Sequence, residues 1–430
     1  MKWKLCLVSV FAIFVSCSFT PGTSLHKSSA VQIRENNFIH DKADWTVMVY
    51  MPADNNLEEA ALEDLNEMEA AEYDEEKLNV VVLLDTDGFN DGIDDWPGTR
   101  LYEVKHDKSG MNQSLCSIRL GSPELGLSSR ADKELNMADK RTMCNFIKYV
   151  KKNYPAEHFA LVVWGHGTGY RSLSKSNTRA VAIDDTSSSF MPIPTLRDAL
   201  EQSIDGEKLD FLGFDTCFAS EIEVMYELKD TAHYFAGEEG TQPVSGWDYY
   251  KWLGSGFSYD DSGLELGKKL ALISNSDSHL CVADLSNLEN LFLSFDEFAL
   301  KFAKAAAEKK SVVTEKLKGV QSFKSYGAAL NPVYIDVVGM VRCGKELFPS
   351  LKESAEDVER LLGEVCVLSK NENIGVYFGS VKSDGIAASE FSPYYVQGSG
   401  VSGQCEFVKK SKGYVPSSSK ENKSLLDVLF

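Results

Sequence analysis

Two short stretches of this chain carry residue types able to do covalent chemistry. One is Trp164-Gly165-His166-Gly167-Thr168-Gly169, where an imidazole stands between glycines at the end of the apolar run 158–164. The other is Phe214-Asp215-Thr216-Cys217-Phe218, where a thiol follows the apolar run 209–214. A thiol becomes a strong nucleophile once its proton is removed, and a neutral imidazole is suited to removing it near neutral pH. Glycines beside His166 let the backbone turn sharply and leave the ring accessible. A helix expected soon after Cys217 would put the thiol near a helix N-terminus, whose dipole favours thiolate. The pair lies 51 positions apart (217 − 166), each at the end of an expected strand. A lone histidine is most often a surface or core residue and a lone buried cysteine an inert small hydrophobe. Together, at strand ends, they suit acyl transfer through a thiolate.

The elements that must position the pair follow from periodicity. Residues 46–53 read as a strand, and Asp54-Asn55-Asn56 with Glu58 or Glu59 as the capping signal of a helix whose face is Leu57, Ala61, Leu65 and Met68. The continuous apolar run 78–84 suits a strand buried on both sides of a parallel sheet. Met143, Phe146, Ile147, Val150 and Tyr154 mark a helix ending at Pro155, and strands are expected at 158–164, 180–183, 209–214 and 234–236. Helices are expected at 192–202 and through Ile222, Met225 and Tyr226. Strands alternating with helices make an α/β fold with a mostly parallel sheet, whose ligands bind outside the carboxyl ends of the strands. The 51-residue spacing is that of caspase-type pairs, with the histidine on an adjacent strand. Beyond about residue 255 the texture becomes helical, with Leu288, Leu291, Phe292, Phe295, Ala299 and Phe302 on one face, a second helix over 351–368 and a late strand over 374–378.

Composition removes several function classes. The chain has 430 residues, with 64 Asp+Glu against 44 Lys+Arg and a formal net charge of −20, so no broad phosphate-binding surface is available and nucleic acid is not a partner. Hydrophobic residues make up 43%, enough for a sizeable core. No Gly-x-Gly-x-x-Gly follows the first strand and no Walker-type lysine loop occurs, which argues against nucleotide chemistry.

The N-terminus reads as an export signal. Lys2 and Lys4 precede the apolar stretch 5–15, which is shorter than the roughly 20 residues a membrane-spanning helix needs. Ser16-Cys17 resembles a bacterial lipobox, with Cys17 as the lipidated residue; ordinary secretion is the rival reading. The chain thus divides into a signal peptide over 1–16, a tether over 17–44, a catalytic domain over 45–255, a mainly helical region with a late strand over 256–400, and a loosely held tail over 401–430. The expected location is the cell envelope, as an outer-membrane lipoprotein or a secreted monomer, with the membrane touched only through the lipid. Nine cysteines occur, two of them before residue 18, and no CxxC spacing suggests a zinc site.

At this point the residues resemble a family. Trp45-Thr46-Val47-Met48-Val49-Tyr50-Met51 leads into Ala53-Asp54-Asn55-Asn56-Leu57-Glu58; Asn136-Met137-Ala138-Asp139, the His166 and Cys217 segments, the run 221–228, Glu238-Glu239, Pro243 and Gly246-Trp247-Asp248-Tyr249 follow in order. The chain resembles the clostripain-type cysteine peptidases of the caspase-like clan. The resemblance implies a caspase-like α/β/α sandwich, Cys217 as nucleophile, His166 as base, and an oxyanion site from the backbone N–H groups of Gly167 and Cys217. Its substrates would be proteins or peptides, and the chemistry needs no cofactor. Relatives that cleave after Arg or Lys use acids in the S1 pocket, which maps that role onto Asp215, with Ser245 and Trp247 beside it. Ser245 departs from the acid usual at its position, which weakens the expected grip on a guanidinium; Glu238 and Glu239 are the nearby acids that could compensate. Relatives are often cut between the histidine and cysteine, which points here to Arg179–Ala180, with Lys175–Ser176 as second choice. The acidic run 85–95, with Asp85, Asp87 and Asp91 as ligands, could hold calcium, though its spacing is not that of an EF-hand. A protein-binding lipoprotein on a peptidase fold, or another thiol acyl-transfer enzyme, are the alternatives.

Overall fold

The computed structural model describes residues 33–34, 39–88, 96–112, 114–169, 181–274, 278–320, 322–324, 333–369, 377–378, 406 and 410. The signal segment, Cys17, Asp91, Lys175-Ser176 and Arg179-Ala180 lie outside them.

The chain runs β1 (Ile33–Arg34), β2 (Ala43–Pro52), α1 (Glu58–Ala70), β3 (Leu78–Asp87), β4 (Pro97–Glu103), β5 (Ile118–Leu120), α2 (Lys140–Asn153) and β6 (Ala156–Trp164). It continues through β7 (Val181–Asp184), β8 (Ser189–Met191), α3 (Ile193–Glu201), β9 (Leu209–Asp215), α4 (Ile222–Leu228), β10 (Ala232–Glu238), α5 (Tyr249–Leu253) and α6 (Gly263–Ile273). The last part holds β11 (Leu280–Asp284), α7 (Leu288–Ala307), α8 (Lys310–Leu317), β12 (Ser322–Lys324), β13 (Val333–Asp336), α9 (Val337–Leu347), α10 (Lys352–Val365), β14 (Cys366–Ser369) and β15 (Tyr377–Phe378).

Ten strands form one sheet in the order β1-β5-β4-β3-β2-β6-β9-β10-β11-β14. Its centre, β3-β2-β6-β9-β10, is parallel throughout. β4 and β11 pair antiparallel on either side of it. Successive residues of β2 point to opposite faces, as the pleat requires. Met48 and Tyr50 join one core with Phe146, Leu196, Met225, Phe295 and Val358 from helices α2, α3, α4, α7 and α10. Val47 and Val49 join the other with Leu65, Trp252 and Leu266 from α1, α5 and α6. Helices therefore cover both faces, which is why the central strands are apolar without alternation and why the fold is an α/β/α sandwich. Among the described residues no helix is long and apolar enough to cross a membrane.

Two boundaries differ from expectation. The helix expected over 351–368 stops at Val365, and Cys366–Ser369 pair instead with β11, supplying the hydrogen-bond partner that strand would otherwise lack. Helix α1 begins after Leu57 without a side-chain cap, because the Asn55 side chain accepts the Leu57 N–H in a local turn, 3.0 Å. Asp54 and Asn56 are thereby left for other partners.

Candidate active site

Strands β6 and β9 are parallel neighbours in register at Trp164 and Asp215, and the Gly165 N–H donates to the Asp215 carbonyl at 3.1 Å. The two segments thus leave the sheet side by side, and His166 and Cys217 each stand two residues beyond the last pair. Gly165 turns at φ +115°, a region side-chain-bearing residues avoid. Gly167 then passes so close to the other strand end that a Cβ there would lie 2.5 Å from the Cys217 carbonyl oxygen and 2.5 Å from Thr216 Oγ1. This approach holds the Gly167 backbone against the Cys217 carbonyl and the Thr216 side chain.

Cys217 is half-buried, and its sulfur accepts the Gln242 N–H at 3.2 Å. Burial pushes the thiol above its ordinary range; the Gln242 N–H opposes this, and the negative charges of Glu238 and Asp215 add to it. The helix-dipole expectation fails here: α4 starts only at Ile222, with Phe218 at φ +54° in between, so the sulfur is off the first turn of that helix. His166 is held below its ordinary pKa chiefly by burial, with Asp185 opposing. Both shifts favour the uncharged forms, a thiol and a neutral imidazole.

His166 Nε2 lies 2.9 Å from Asn56 Oδ1. An amide oxygen only accepts, so Nε2 carries the ring proton and Nδ1 keeps the lone pair a base needs. Asn56 escaped sequence reading because it sits in an Asp-Asn-Asn run that looks like a helix cap.

Asp215 is buried under Trp247 and Tyr249. Its Oδ2 accepts the Trp247 N–H at 3.0 Å and the Tyr249 hydroxyl at 3.1 Å, while Oδ1 is buried with no donor among the described residues. A second carboxylate joins it from α1: a Cβ at Gly246 would lie 2.9 Å from Asp215 Oδ2 and 2.9 Å from Asp64 Oδ2. Asp64 Oδ2 also accepts the Trp164 indole N–H at 2.6 Å. Burial pushes Asp215 up to about 7, and burial followed by the Asp215 charge raises Asp64. Asp64 has no motif around it and was not anticipated. Ser245 is exposed on the turn before Trp247, and the Trp247 ring packs into the core over Gly213. Glu238 is occupied elsewhere, accepting the Ser278 hydroxyl at 3.1 Å and the His279 N–H.

The acidic run expected to gather Asp85, Asp87 and Asp91 is arranged otherwise. Asp85 groups with Asp54, Glu134 and Asp184, with one oxygen of each within 4.8 Å of the others. Asp87 is half-buried outside that group, and Asp91 lies outside the described residues. Burial raises Asp85 to about 9 and Glu134 to about 7, and it raises Asp184 as well.

Comparison with known proteins bears on the family and the fold. Residues 49–394 match the clostripain family. The clostripain of Hathewaya histolytica is 28% identical over 327 residues, covering 64% of this chain and 59% of that protein, so the chain spans well under two thirds of that relative's length. A secreted cysteine protease of Bacteroides thetaiotaomicron, solved with an irreversible peptide inhibitor, superposes with a TM-score of 0.54 at 20% identity over 76% of this chain and 84% of that one. An inactive zymogen protease of Parabacteroides distasonis gives 0.57 at 20% identity over 77% and 84%. At that identity the likeness is one of fold.

Proposed function

The chain belongs to the clostripain family, and we propose that it is a cysteine endopeptidase working through Cys217 and His166. The observation that supports this is the junction of the two strand ends, where Gly167 packs against the Cys217 carbonyl and the Thr216 side chain. In the reaction, His166 Nδ1 takes the Cys217 proton as the sulfur attacks the scissile carbonyl carbon. The resulting oxyanion accepts from the Gly167 and Cys217 N–H groups. The C–N bond breaks as the imidazolium gives its proton to the leaving amine, leaving a thioester. Water then attacks with His166 again as base, the C–S bond breaks, and the thiol is restored.

The P1 residue in this reading is Arg or Lys. Asp215 Oδ1 is a buried oxygen in want of a donor, and a guanidinium or ammonium would supply one. Asp64 beside it takes the place of the acid absent at Ser245, and entry of a cation would release the proton this carboxylate pair holds near neutral pH. Fluorogenic peptides varied only at P1, run with wild type and Cys217→Ala, test both levels. Turnover restricted to non-basic P1 would reject the pocket, and no turnover of any peptide would favour the protein-binding alternative.

Export, with Cys17 as a lipid anchor, and self-cleavage at Arg179–Ala180 complete the proposal. Mass spectrometry of wild type beside Cys217→Ala decides the cleavage: a single intact chain in both excludes it. Cys17→Ser should abolish fatty-acid labelling and release the protein from membranes.

A further inference from the structure

The edge of the central sheet holds two sulfur atoms that the peptidase chemistry does not use. Cys281 lies in β11 and Cys366 opens β14, 85 positions later. Their Sγ atoms stand 3.1 Å apart as thiols, with Cys281 fully buried and Cys366 8% exposed. An irregularity in the ladder brings them together. Cys281 opposes Ser369 and Val282 opposes Leu368, yet Ala283 opposes Cys366, so Val367 is the extra residue of a bulge. In an unbroken register Val367 would oppose Ala283, and Cys366 would oppose Asp284. Side chains of opposed residues share a face and successive ones alternate, so Cys366 would then lie across the sheet from Cys281. The bulge turns it onto the same face: Cys281, Ala283 and Cys366 join one core, while Val282 and Leu368 pack against the other. Among the described residues no third His, Cys, Asp or Glu ligand atom gathers with the two sulfurs, so the pair does not read as a metal site.

We propose that Cys281 and Cys366 form a disulfide that fastens α10 and β14 to the central sheet. The sulfurs need to approach by about 1 Å (3.1 − 2.05) to reach the roughly 2.05 Å of an S–S bond. The oxidant is itself a disulfide, of a small molecule or of a dithiol protein. The thiolate of one cysteine attacks it, forming a mixed disulfide and releasing one of the oxidant's sulfurs as a thiol. The thiolate of the other cysteine then attacks the first cysteine's sulfur, which closes the Cys281–Cys366 bond and releases the oxidant's second thiol. The two protein thiols lose two electrons and two protons, and the oxidant gains both. The hydrogen bond with Cys366, followed by burial, holds the Cys281 thiol well above its ordinary range, so the exchange belongs to a state in which β14 has left the edge, as during folding. The bond anchors the helical region to the stretch of sheet from which the segment after Cys217 hangs. Cys281 opposes Gly237 of β10, whose carbonyl accepts the Ser220 hydroxyl at 2.6 Å. The Ala219 and Ser220 N–H groups donate to the neighbouring Glu238 carbonyl at 2.9 and 3.0 Å. Formation in cells rests on the proposed export into an oxidising compartment, while the pairing itself does not.

The test uses the full chain, exposed to oxidised glutathione at mildly alkaline pH in sub-denaturing urea, which lets an edge strand open. Alkylation in full denaturant and non-reducing digestion should then yield two peptides joined through Cys281 and Cys366, lighter by two hydrogens than their separate thiol forms. The oxidised protein should melt at least about 5 °C above protein treated with reductant. Cys281→Ala and Cys366→Ala should each remove both the joined peptides and the gap between oxidised and reduced melting temperatures, whatever each does to the stability of the reduced form. Cys116→Ser should change neither. Both cysteines alkylated with no joined peptides, or either one joined to a different cysteine or left as a glutathione adduct, overturns the pairing. Joined peptides with no gap in melting temperature overturn its role as a fastening. Peptide mapping needs no turnover, so failure of the peptidase reading would be seen separately.

Discussion

Gly167→Ala isolates the contact on which the proposed oxyanion site depends. The added methyl would meet the Cys217 carbonyl oxygen and Thr216 Oγ1 at 2.5 Å, and Thr216 Cβ at 2.6 Å. Ordinary contact begins near 3.4 Å, so the two strand ends must separate by about 0.9 Å (3.4 − 2.5). A misplacement of roughly 1 Å costs about a hundredfold in rate, and loss of one oxyanion donor about 10²–10³. The expected result is a fall of kcat/KM by about 10²–10³ with most of the loss in kcat, because ground-state peptide contacts are largely kept. Overpacking should also destabilise the fold by about 1–3 kcal/mol, which a melting curve would register without abolishing folding. Gly206→Ala is the control: nothing lies within 4 Å of its added methyl, so only the strain of its positive φ is felt and the rate should hold. Steady-state rates on a peptide with basic P1, beside alkylation of Cys217 to confirm an intact thiol, make the comparison. A folded Gly167→Ala protein within threefold of wild-type kcat/KM would refute the assignment of this junction as the oxyanion site.

Asn56→Ala should lower kcat about tenfold with little change in KM, the rough worth of one hydrogen bond that orients the base; an unchanged kcat would remove Asn56 from the mechanism. Because burial pushes the Cys217 thiol above its ordinary 9.0, its thiolate fraction grows with rising pH, and iodoacetamide alkylation should still be increasing past pH 9. A plateau already reached in acid would mean a preformed thiolate–imidazolium pair. Asp215→Asn should cost about a hundredfold in kcat/KM for Arg at P1 and little for norleucine. Asp215 is pushed up to about 7, so it gains its proton as pH falls through that value and the preference for basic P1 should weaken below it. Selectivity flat from pH 8 to pH 5 would count against Asp215 as the acid.

Much of the scaffold was legible because local pattern and global fold agree. The runs 78–84 and 209–214 are apolar without alternation, which only a sheet covered on both faces explains, and both became central parallel strands. Short strands were harder: Cys366–Ser369 carries a helical pattern's continuation yet pairs with β11, and an available sheet edge outweighed propensity. Helix α1 shows the opposite case, where Asn55 turned a capping run to other uses.

By itself the sequence singled out the proposed reactive pair, because His166 and Cys217 each carry a local signal: glycine-flanked or strand-terminal, at the end of an apolar run. Its acidity likewise argued against nucleic acid, an inference from summed charge. Tertiary structure alone decided which side chains serve them. Asn56 reaches His166 across 110 positions, Asp64 on α1 reaches Asp215 at the end of β9, and Asp85 finds Asp54, Glu134 and Asp184 rather than its sequence neighbour Asp87. Carboxylates and amides act through space over a few ångströms, so their partners are set by strand order and register, which no window of neighbouring residues contains.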